Sequence, residues 1–205
     1  MIYRFFFKRL IDLFTAILGL LVVFPVFVFL ILVLAIVNKG TPFFVQKRPG
    51  RNEKIFSIIK FKTMTNAKDK NGNLLPDEKR LTTIGKLVRK TSLDELPQLL
   101  NIVKGDMSFI GPRPLLIRYL PFYSETEKIR HSIRPGITGL AQISGRNLLN
   151  WDDRLKKDIE YVENLHFGLD FKIFIKTIQK VITSKDVVVN PNSVIQDLDA
   201  IRSKH

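Results

Sequence analysis

The sequence predicts an α+β protein that is mainly helical and is anchored to a membrane by an N-terminal, proline-kinked, re-entrant helical hairpin. Three observations support this prediction. Residues 13–37 form one long uncharged apolar run. Two short extended segments follow it, separated by a turn at 48–52 that contains proline and glycine. The rest shows mostly helical periodicity, without the strand–helix alternation or the glycine-rich phosphate loops of Rossmann and P-loop proteins.

The composition indicates a polyanionic partner. The chain has 205 residues, with 33 Lys+Arg against 19 Asp+Glu and a net charge of +14. This balance favours nucleic acid, anionic lipid or phosphorylated substrates. The absence of cysteine excludes disulfides, thiolate catalysis and cysteine-bound zinc. The three histidines, His131, His166 and His205, do not cluster, so any metal is expected to be a hard cation held by carboxylates, such as Mg²⁺.

The apolar run is long enough to cross a bilayer, but a proline divides it. Its 25 residues would extend about 37 Å as a straight helix, against a hydrocarbon core of about 30 Å. Pro25 lies at the centre, where it removes a helix hydrogen bond and favours a kink. Each half then has 12 residues, about 18 Å, which is too short to span alone.

Two topologies stay open for this segment: a single kinked transmembrane helix, and a re-entrant hairpin that enters and leaves on one face. Basic residues flank both ends, so the positive-inside rule gives no orientation for a spanning helix, and we favour the hairpin. The predicted domains are a membrane-embedded hairpin anchor at 1–38, a cytosolic or interfacial catalytic domain at 39–186 and a polar C-terminal tail at 187–205.

A second membrane contact is predicted near the C-terminus. Between residues 170 and 183, apolar residues recur at helical spacing, and Lys172, Lys176 and Lys180 form a stripe at i, i+4 and i+8. This pattern is typical of a basic amphipathic helix that lies in the headgroup plane. The alternative is a surface helix whose apolar face packs on the core. The tail that follows is polar and is expected to be loosely held; its Asp197-Leu198-Asp199 lacks a preceding strand and is discounted as a metal motif.

The catalytic domain is expected to combine short strands with several helices. Turn residues, apolar periodicity and a capping box that begins at Ser124 define its elements. The predicted strands are 42–45, 55–61 and 137–143, and the predicted helices are 81–89, 93–103, 124–131 and 151–165.

The most informative motif is an acidic pair in a basic neighbourhood, Asp94-Glu95, preceded by Ser92 and followed by Pro97. Two adjacent carboxylates among cations suit chemistry on phosphates, because one can act as a nucleophile or base and the other can hold a metal. The alternative is a capping box from Ser92 to Glu95. Pro97 weakens that alternative, because its missing N–H would fall in the second turn. If Pro97 instead opens the helix, both acids precede it on a tight turn.

Several cations could bind a phosphorylated ligand. Arg113 lies between Pro112 and Pro114, and these rigid neighbours pre-organise its guanidinium for bidentate phosphate binding. Lys60 and Lys62 alternate with apolar residues, so one face of a strand would bury Phe61 and the other would present two cations. Each feature alone also fits a solvated surface. Further positive charge comes from Arg89 and Arg146.

Taken in order, these motifs resemble those of the bacterial sugar transferases, specifically the small monotopic polyprenyl-phosphate phosphoglycosyl transferases. The resemblance extends from the anchor to about Asp170, and several long motifs in order are more specific than any one alone. One departure is Phe24, where the family often has a small polar residue before the hairpin proline. The matching segments are the Pro25-broken anchor and residues 46–50, 56–64, 93–98, 105–114, 134–139 and 145–147.

The resemblance implies a two-step exchange. Asp94 would attack the β-phosphate of a UDP-sugar and release UMP, which leaves a sugar phosphate bonded to Asp94. A polyprenyl phosphate, such as undecaprenyl phosphate, would then accept the sugar phosphate, and the product would start a surface glycan. Glu95 would bind Mg²⁺. The residues that would contact the diphosphate or the nucleotide are Arg113, Arg89 and Arg146, with Lys60 and Lys62 as further candidates.

The resemblance also implies a location at the cytoplasmic face of a bacterial inner membrane, with membrane lipid as a partner. Two other functions fit part of the sequence. A basic, non-catalytic membrane adaptor would explain the charge of +14 but not the ordered motifs. A hydrolase of UDP-sugars or lipid diphosphates would use the same carboxylates. No specific nucleic-acid site is expected, and a homo-oligomer stays open, as do the sugar and the glycan pathway.

Overall fold

The computed structural model describes residues 2–145, 149–183 and 196–203. This part of the chain is mainly helical with short strands, which confirms the predicted α+β class. Its helices are α1 Lys8–Val37, α2 Asp77–Arg80, α3 Thr83–Lys90, α4 Gln98–Lys104, α5 Leu140–Ser144, α6 Trp151–Glu163, α7 Phe167–Thr183 and α8 Leu198–Arg202. Its strands are β1 Phe43–Pro49, β2 Ile55–Phe61, β3 Ser108–Ile110 and β4 Gly136–Thr138.

Helix α1 is a candidate membrane anchor. With the π-helical turn Tyr3–Phe7 before it, it forms a helical segment long and apolar enough to cross a membrane. Most of its large apolar side chains are exposed. Pro25 lies inside this helix, which the structure describes as continuous. Neither the hairpin nor the proline kink is shown, so both stay predictions.

Polar contacts tie both ends of α1 to the rest of the protein. At the N-terminal end, Lys8 Nζ lies 2.7 Å from Asp170 Oδ2 of α7, and Asp12 Oδ1 accepts a hydrogen bond from the Phe109 amide at 3.1 Å. Just beyond the C-terminal end, Asn38 Nδ2 donates to the Lys62 carbonyl at 2.8 Å. Both ends of the anchor therefore meet the same body.

Apolar contacts join the same two stretches of the helix to the body. In the first half, Ala16 is fully buried in a cluster with Leu99 and Ile102 of α4. In the second half, Leu30 and Leu34 pack in a cluster that includes Phe61 and Val88. One face of α1 is thus buried along its length while the other face stays exposed.

Strands β1 and β2 form an antiparallel pair that runs from Phe43 opposite Phe61 to Pro49 opposite Ile55. The second strand lies where the sequence predicts it, and Phe61 is buried as expected. The first strand extends past the predicted 42–45, because each of its residues has a cross-strand partner on β2. The β1–β2 pair brings Lys60 to the site described below.

A second, parallel pair was only partly predicted. Strand β3 pairs with β4, and the ladder ends where Ile110 lies opposite Thr138. The strand predicted at 137–143 is therefore wrong beyond 138, since β3 offers no further partner and α5 begins at Leu140. The two chains approach so closely that a Cβ on Gly136 would lie 2.2 Å from the Gly111 amide nitrogen. This contact fixes the start of the loop that contains Arg113.

Helix α7 matches the predicted amphipathic helix. Its Ile173 is buried, but Phe171, Phe174 and Ile178 on the neighbouring face are exposed. Most of the apolar face is therefore not packed on the core, in contrast to the surface-helix alternative. This exposure suits the predicted contact with a membrane.

Helix α8 is held more firmly than the polarity of the tail suggests. Leu198 is fully buried in a cluster with Trp151 and Leu155 of α6. Arg118 forms ion pairs with both Asp197 and Asp199. The expectation of a loosely held tail is therefore wrong for residues 196–203, because one leucine and two carboxylates find partners far away in sequence.

Candidate active site

The acidic pair lies on a tight turn before α4. Ser92 adopts a left-handed conformation with φ of 58°, and its side chain accepts no capping hydrogen bond, so the capping box from Ser92 to Glu95 is not formed. Leu93–Glu95 is a single 3₁₀ turn, and Pro97 is the N-cap residue of α4. The helix predicted at 93–103 therefore begins only at Gln98, and of the two alternatives the structure has the one in which Pro97 opens the helix. Neither carboxylate caps it.

Glu95 is neutralised by two cations from distant parts of the chain. Its Oε1 accepts hydrogen bonds from Lys60 Nζ at 2.6 Å and from Arg113 Nη2 at 2.9 Å. The Glu95 side chain is 18% exposed. Burial alone would raise the pKa of Glu95, but the charges of Arg113 and Lys60 outweigh burial and hold that pKa well below its ordinary value. Glu95 is therefore an anion throughout the physiological pH range.

Asp94 differs from its neighbour in having no bound donor. Within the described residues, no side chain or amide donates a hydrogen bond to its carboxylate. Burial, and then the negative charge of Glu95, raise the pKa of Asp94 to about 6, against the opposing charges of Lys60 and Arg113. At neutral pH Asp94 is still mostly ionised. A poorly solvated, ionised carboxylate without a hydrogen-bond donor can act as a nucleophile or a base.

The acidic pair opens into a cleft of about 890 Å³. Phe174 and Val181 of α7 also line the cleft, so its wall has apolar as well as charged side chains. The cleft wall has fewer acidic residues than basic ones, and the acidic residues include Asp94 and Glu95. The cations that line the cleft are Arg48, Lys60, Lys62, Arg80, Arg89, Arg113, Arg130 and Arg154. Such a cleft suits a ligand with several negative charges.

The other predicted binding residues differ in their positions relative to the cleft and in the contacts they make. Arg89 lines the cleft and donates from Nε to Thr63 Oγ1 at 2.8 Å, which holds its guanidinium at the cleft wall. Lys62 also lines the cleft, but its Nζ donates to Thr41 Oγ1 at 3.1 Å. The predicted contact Arg146 lies outside the described residues. Geometry therefore separates Lys60, which contacts Glu95, from Lys62, which contacts Thr41.

A buried ion pair in the wall of the cleft was not predicted. Arg130 donates from Nε and Nη2 to Asp158 Oδ2 at 3.1 and 2.8 Å, and both side chains are almost completely buried. Arg130 Nη2 also donates to the Arg113 carbonyl at 2.7 Å. The pair thus fixes the backbone of Arg113. A sequence signal existed, because Asp158 falls on the same helical stripe as Leu155 and Val162.

Gln98 is another polar residue of the site that was not predicted from the sequence. It lies on the first turn of α4, lines the cleft and is 1% exposed. Its Nε2 is buried without a hydrogen-bond partner in the described part of the chain. A buried, unsatisfied donor is costly unless a ligand accepts from it.

The donors at the acidic pair fit Mg²⁺ only together with a substrate. No group of three or more His, Asp or Glu side chains suited to a metal occurs among the described residues. Glu95 Oε1 is engaged by Lys60 and Arg113, which leaves Oε2 and the Asp94 carboxylate. Mg²⁺ is commonly bound by one or two carboxylates plus substrate phosphates. The site therefore fits an ion that arrives with a phosphorylated ligand.

Comparison with known proteins gives the family. Residues 3–184 match the family described as Bacterial sugar transferase. The chain is 50% identical over 180 residues to "Uncharacterized sugar transferase EpsL" of Bacillus subtilis (strain 168), which covers 88% of this chain and 89% of that protein.

Two longer relatives have more specific names. The chain is 35% identical over 199 residues to "Undecaprenyl-phosphate galactose phosphotransferase" of Salmonella typhimurium (88% of this chain, 41% of that protein). It is 34% identical over 190 residues to "UDP-N-acetylgalactosamine-undecaprenyl-phosphate N-acetylgalactosaminephosphotransferase" of Aeromonas hydrophila (87% and 44%). The chain thus spans less than half the length of these two. The matches confirm the predicted family: this protein belongs to the bacterial sugar transferases.

Proposed function

We propose that this protein transfers a sugar 1-phosphate from a UDP-sugar to a polyprenyl phosphate such as undecaprenyl phosphate, releases UMP and thereby initiates a bacterial surface glycan. One observation supports this most directly. Asp94 has an ionised carboxylate without a donor, beside a neutralised Glu95, in a cationic cleft. The relatives named as undecaprenyl-phosphate phosphotransferases support the same reaction.

In the first step, an Asp94 carboxylate oxygen bonds to the β-phosphorus of the UDP-sugar. The bond from that phosphorus to the oxygen bridging the α-phosphate breaks, and this oxygen leaves with UMP. A carboxylate that approaches a diphosphate meets strong like-charge repulsion. Arg113, Arg89 and Lys60 reduce that repulsion, because they bring three cations to the wall of the same cleft. Gln98 adds a neutral donor there.

In the second step, a phosphate oxygen of the polyprenyl phosphate bonds to the phosphorus held by Asp94. The bond between phosphorus and the Asp94 oxygen breaks, which restores the carboxylate. A covalent intermediate lets one site serve a soluble donor and a lipid acceptor in turn. The cleft suits this exchange, since its lining includes the cations Lys60 and Arg113 and the apolar side chains of Phe174 and Val181.

Glu95 Oε2 would hold Mg²⁺ together with the substrate diphosphate. When bound, the ion would neutralise negative charge on the transferring phosphoryl group. Lys60 and Arg113 position Glu95 for this role by fixing its Oε1. Arg146 remains a candidate for a contact with the nucleotide, whereas Lys62 is expected to contribute little, because its ammonium is bonded to Thr41.

The anchor fits a re-entrant course on the cytoplasmic face of the inner membrane. Lys8 and Asp12 at one end of α1, and Asn38 at the other, contact the same body. A straight span would set that highly charged body alongside hydrocarbon, at high energetic cost. A hairpin bent at Pro25 keeps both ends and the catalytic domain on one side, and the exposed apolar face of α7 adds a second membrane contact.

The test is UMP release from a panel of UDP-sugars with Mg²⁺, with and without undecaprenyl phosphate. Lipid-dependent release supports the transferase and names the sugar. Release without lipid would indicate a hydrolase of UDP-sugars, and no release with any donor would leave the membrane adaptor.

The covalent step needs a separate experiment. UDP-sugar labelled at the β-phosphate is mixed with the protein in the absence of acceptor, and the protein is then denatured. Label is expected on the wild type and on Asp153→Asn, an exposed acid outside the cleft, but not on Asp94→Asn. Label retained on Asp94→Asn would overturn the assignment of the nucleophile.

A further inference from the structure

A second pocket lies between the N-terminal end of α1 and the body. Four arginines line it and define what we call the arginine pocket: Arg4 and Arg9 from the anchor, and Arg51 and Arg134 from the body. Within the described residues, no residue that lines this pocket also lines the catalytic cleft. The arginine pocket is therefore a separate site.

The positive charge of the arginine pocket is largely uncompensated. None of its four arginines forms an ion pair with a described residue. Asp12 is the one described carboxylate in the lining, and its Oδ1 accepts from the Phe109 amide. Burial, and then the charges of Arg9 and Arg51, lower the pKa of Arg134.

Several donors in the arginine pocket also lack acceptors. Arg4 Nε and Arg51 Nε are buried without hydrogen-bond partners in the described chain. Arg134 uses Nε to bind the Gly105 carbonyl at 2.8 Å, and its two terminal nitrogens bond to no described residue. Arg9 donates from Nη1 and Nη2 to the Ile102 and Val103 carbonyls, so the donors left for a ligand belong to the other three arginines. Guanidinium groups with unsatisfied donors that line one small pocket favour a tetrahedral oxyanion.

We propose that the arginine pocket binds the phosphate of an anionic phospholipid and thereby fixes the N-terminal end of the anchor at headgroup height. The proposal rests on the membrane location proposed above, but not on the transferase reaction. The pocket has a volume of about 20 Å³, so it admits a phosphate oxygen and not a nucleotide.

The surroundings of the pocket favour a lipid over a free phosphate ion. Phe5 lines the pocket and is 52% exposed. The Arg4 and Arg51 guanidinium groups lie over its ring, at 5.5 and 5.6 Å from the centroid. Phe6 and Phe7 beside it are also exposed. A lipid would meet both surfaces at once, with its phosphate at the arginines and its acyl chains along the phenylalanines.

The test titrates the full chain, in neutral detergent, with short-chain phosphatidylglycerol and follows the rise in Tm. Parallel titrations use inorganic phosphate and a short-chain diacylglycerol without phosphate. Arg51→Gln and Arg134→Gln are each expected to raise the midpoint of the phosphatidylglycerol titration by at least about tenfold, because charge-assisted hydrogen bonds are lost. Lys156→Gln, which removes one exposed cation of α6 outside both pockets, is the matched control and is expected to leave it within about twofold.

The Arg51 side chain makes no hydrogen bond to a described residue, and its backbone bond with Lys54 does not depend on the side chain, so its substitution should not impair folding. Arg51→Lys should show an intermediate midpoint. Equal midpoints for the wild type and both glutamine variants would overturn the proposal. An equal response to diacylglycerol would do the same. An Arg51-dependent response to inorganic phosphate at equal or lower concentration would replace the lipid with a free anion. Arg51→Gln should release UMP at the wild-type rate. If the wild type releases no UMP, the proposed reaction is refuted, but the result of the lipid titration still stands.

Discussion

Carboxylates lie beside cations both at the junction between α1 and α7 and at the turn before α4. At the junction the carboxylate accepts hydrogen bonds from its neighbours, whereas at the turn Asp94 accepts none from a described residue. At the junction, Asp170 Oδ1 accepts from Tyr161 at 2.6 Å, and Oδ2 accepts from Tyr3 at 2.6 Å and Lys8 at 2.7 Å. At the turn, Asp94 accepts from no described residue although cations surround it.

The difference separates a carboxylate whose hydrogen bonds hold the fold together from one that the described residues leave without a donor. Three donors fully satisfy Asp170, so its charge stabilises the docking of the anchor. The cations nearest Asp94, Lys60 and Arg113, are bound to Glu95 instead. Charge near a carboxylate is therefore a weak sign of its role, and the bonds it makes are a stronger one.

The largest effect is expected from Asp94→Asn. The amide cannot attack phosphorus, so UMP release should fall by about four orders of magnitude or more. The Tm in detergent should stay near the wild-type value, because no hydrogen bond to a described residue is lost. Residual activity above a hundredth of the wild type would show that Asp94 is not the nucleophile.

The reverse pattern is expected for Asp170→Asn. This change leaves the buried Lys8 ammonium without its counter-charge, and the free energy of unfolding should fall by about 3 kcal/mol. Denaturant unfolding in neutral detergent measures this, with the exposed Asp153→Asn as control. Folded Asp170→Asn should retain UMP release within a few-fold. A stability equal to that of the control would mean that the junction does not hold the anchor.

The two lysines of β2 sharpen the comparison. Lys60→Gln removes a charge-assisted hydrogen bond to Glu95, and UMP release should fall about 10- to 100-fold. Lys62→Gln, two residues along the same strand, should change it by no more than about twofold, because its exposed hydrogen bond to Thr41 is worth little. Equal losses for both would indicate a role in nucleotide binding rather than in holding Glu95.

The smallest effect is a pH dependence. Because burial raises the pKa of Asp94 to about 6, its nucleophilic form dominates above that pH and declines below it. UMP release should be about tenfold lower at pH 5 than at pH 7.5, since each unit below the pKa removes a factor of ten. Glu95 stays ionised across this range because its pKa is lowered. A flat profile between pH 5 and 7.5 would refute a free Asp94 carboxylate.

Much of the fold was accessible from local patterns. The apolar run, strand β2 and the α7 stripe can be recognised from an uninterrupted apolar stretch or from hydrophobic periods of two or 3.6 residues. The start of α4 at Pro97 was left open beside the predicted helix 93–103. Strand β4 was only half predicted, and the docking of α8 was missed. Both depend on partners that no local pattern reveals: β3 for the strand, and the α6 cluster for Leu198.

The sequence by itself determined the anchor, the main elements and the acidic pair, because each of these depends on neighbours a few positions away. Only the tertiary structure decided which carboxylate is neutralised and which is left free. Glu95 meets Lys60 across 35 positions and Arg113 across 18, while Lys8 meets Asp170 across 162. The pKa of a carboxylate depends on charges and burial in space, and chain folding sets those distances independently of separation along the sequence.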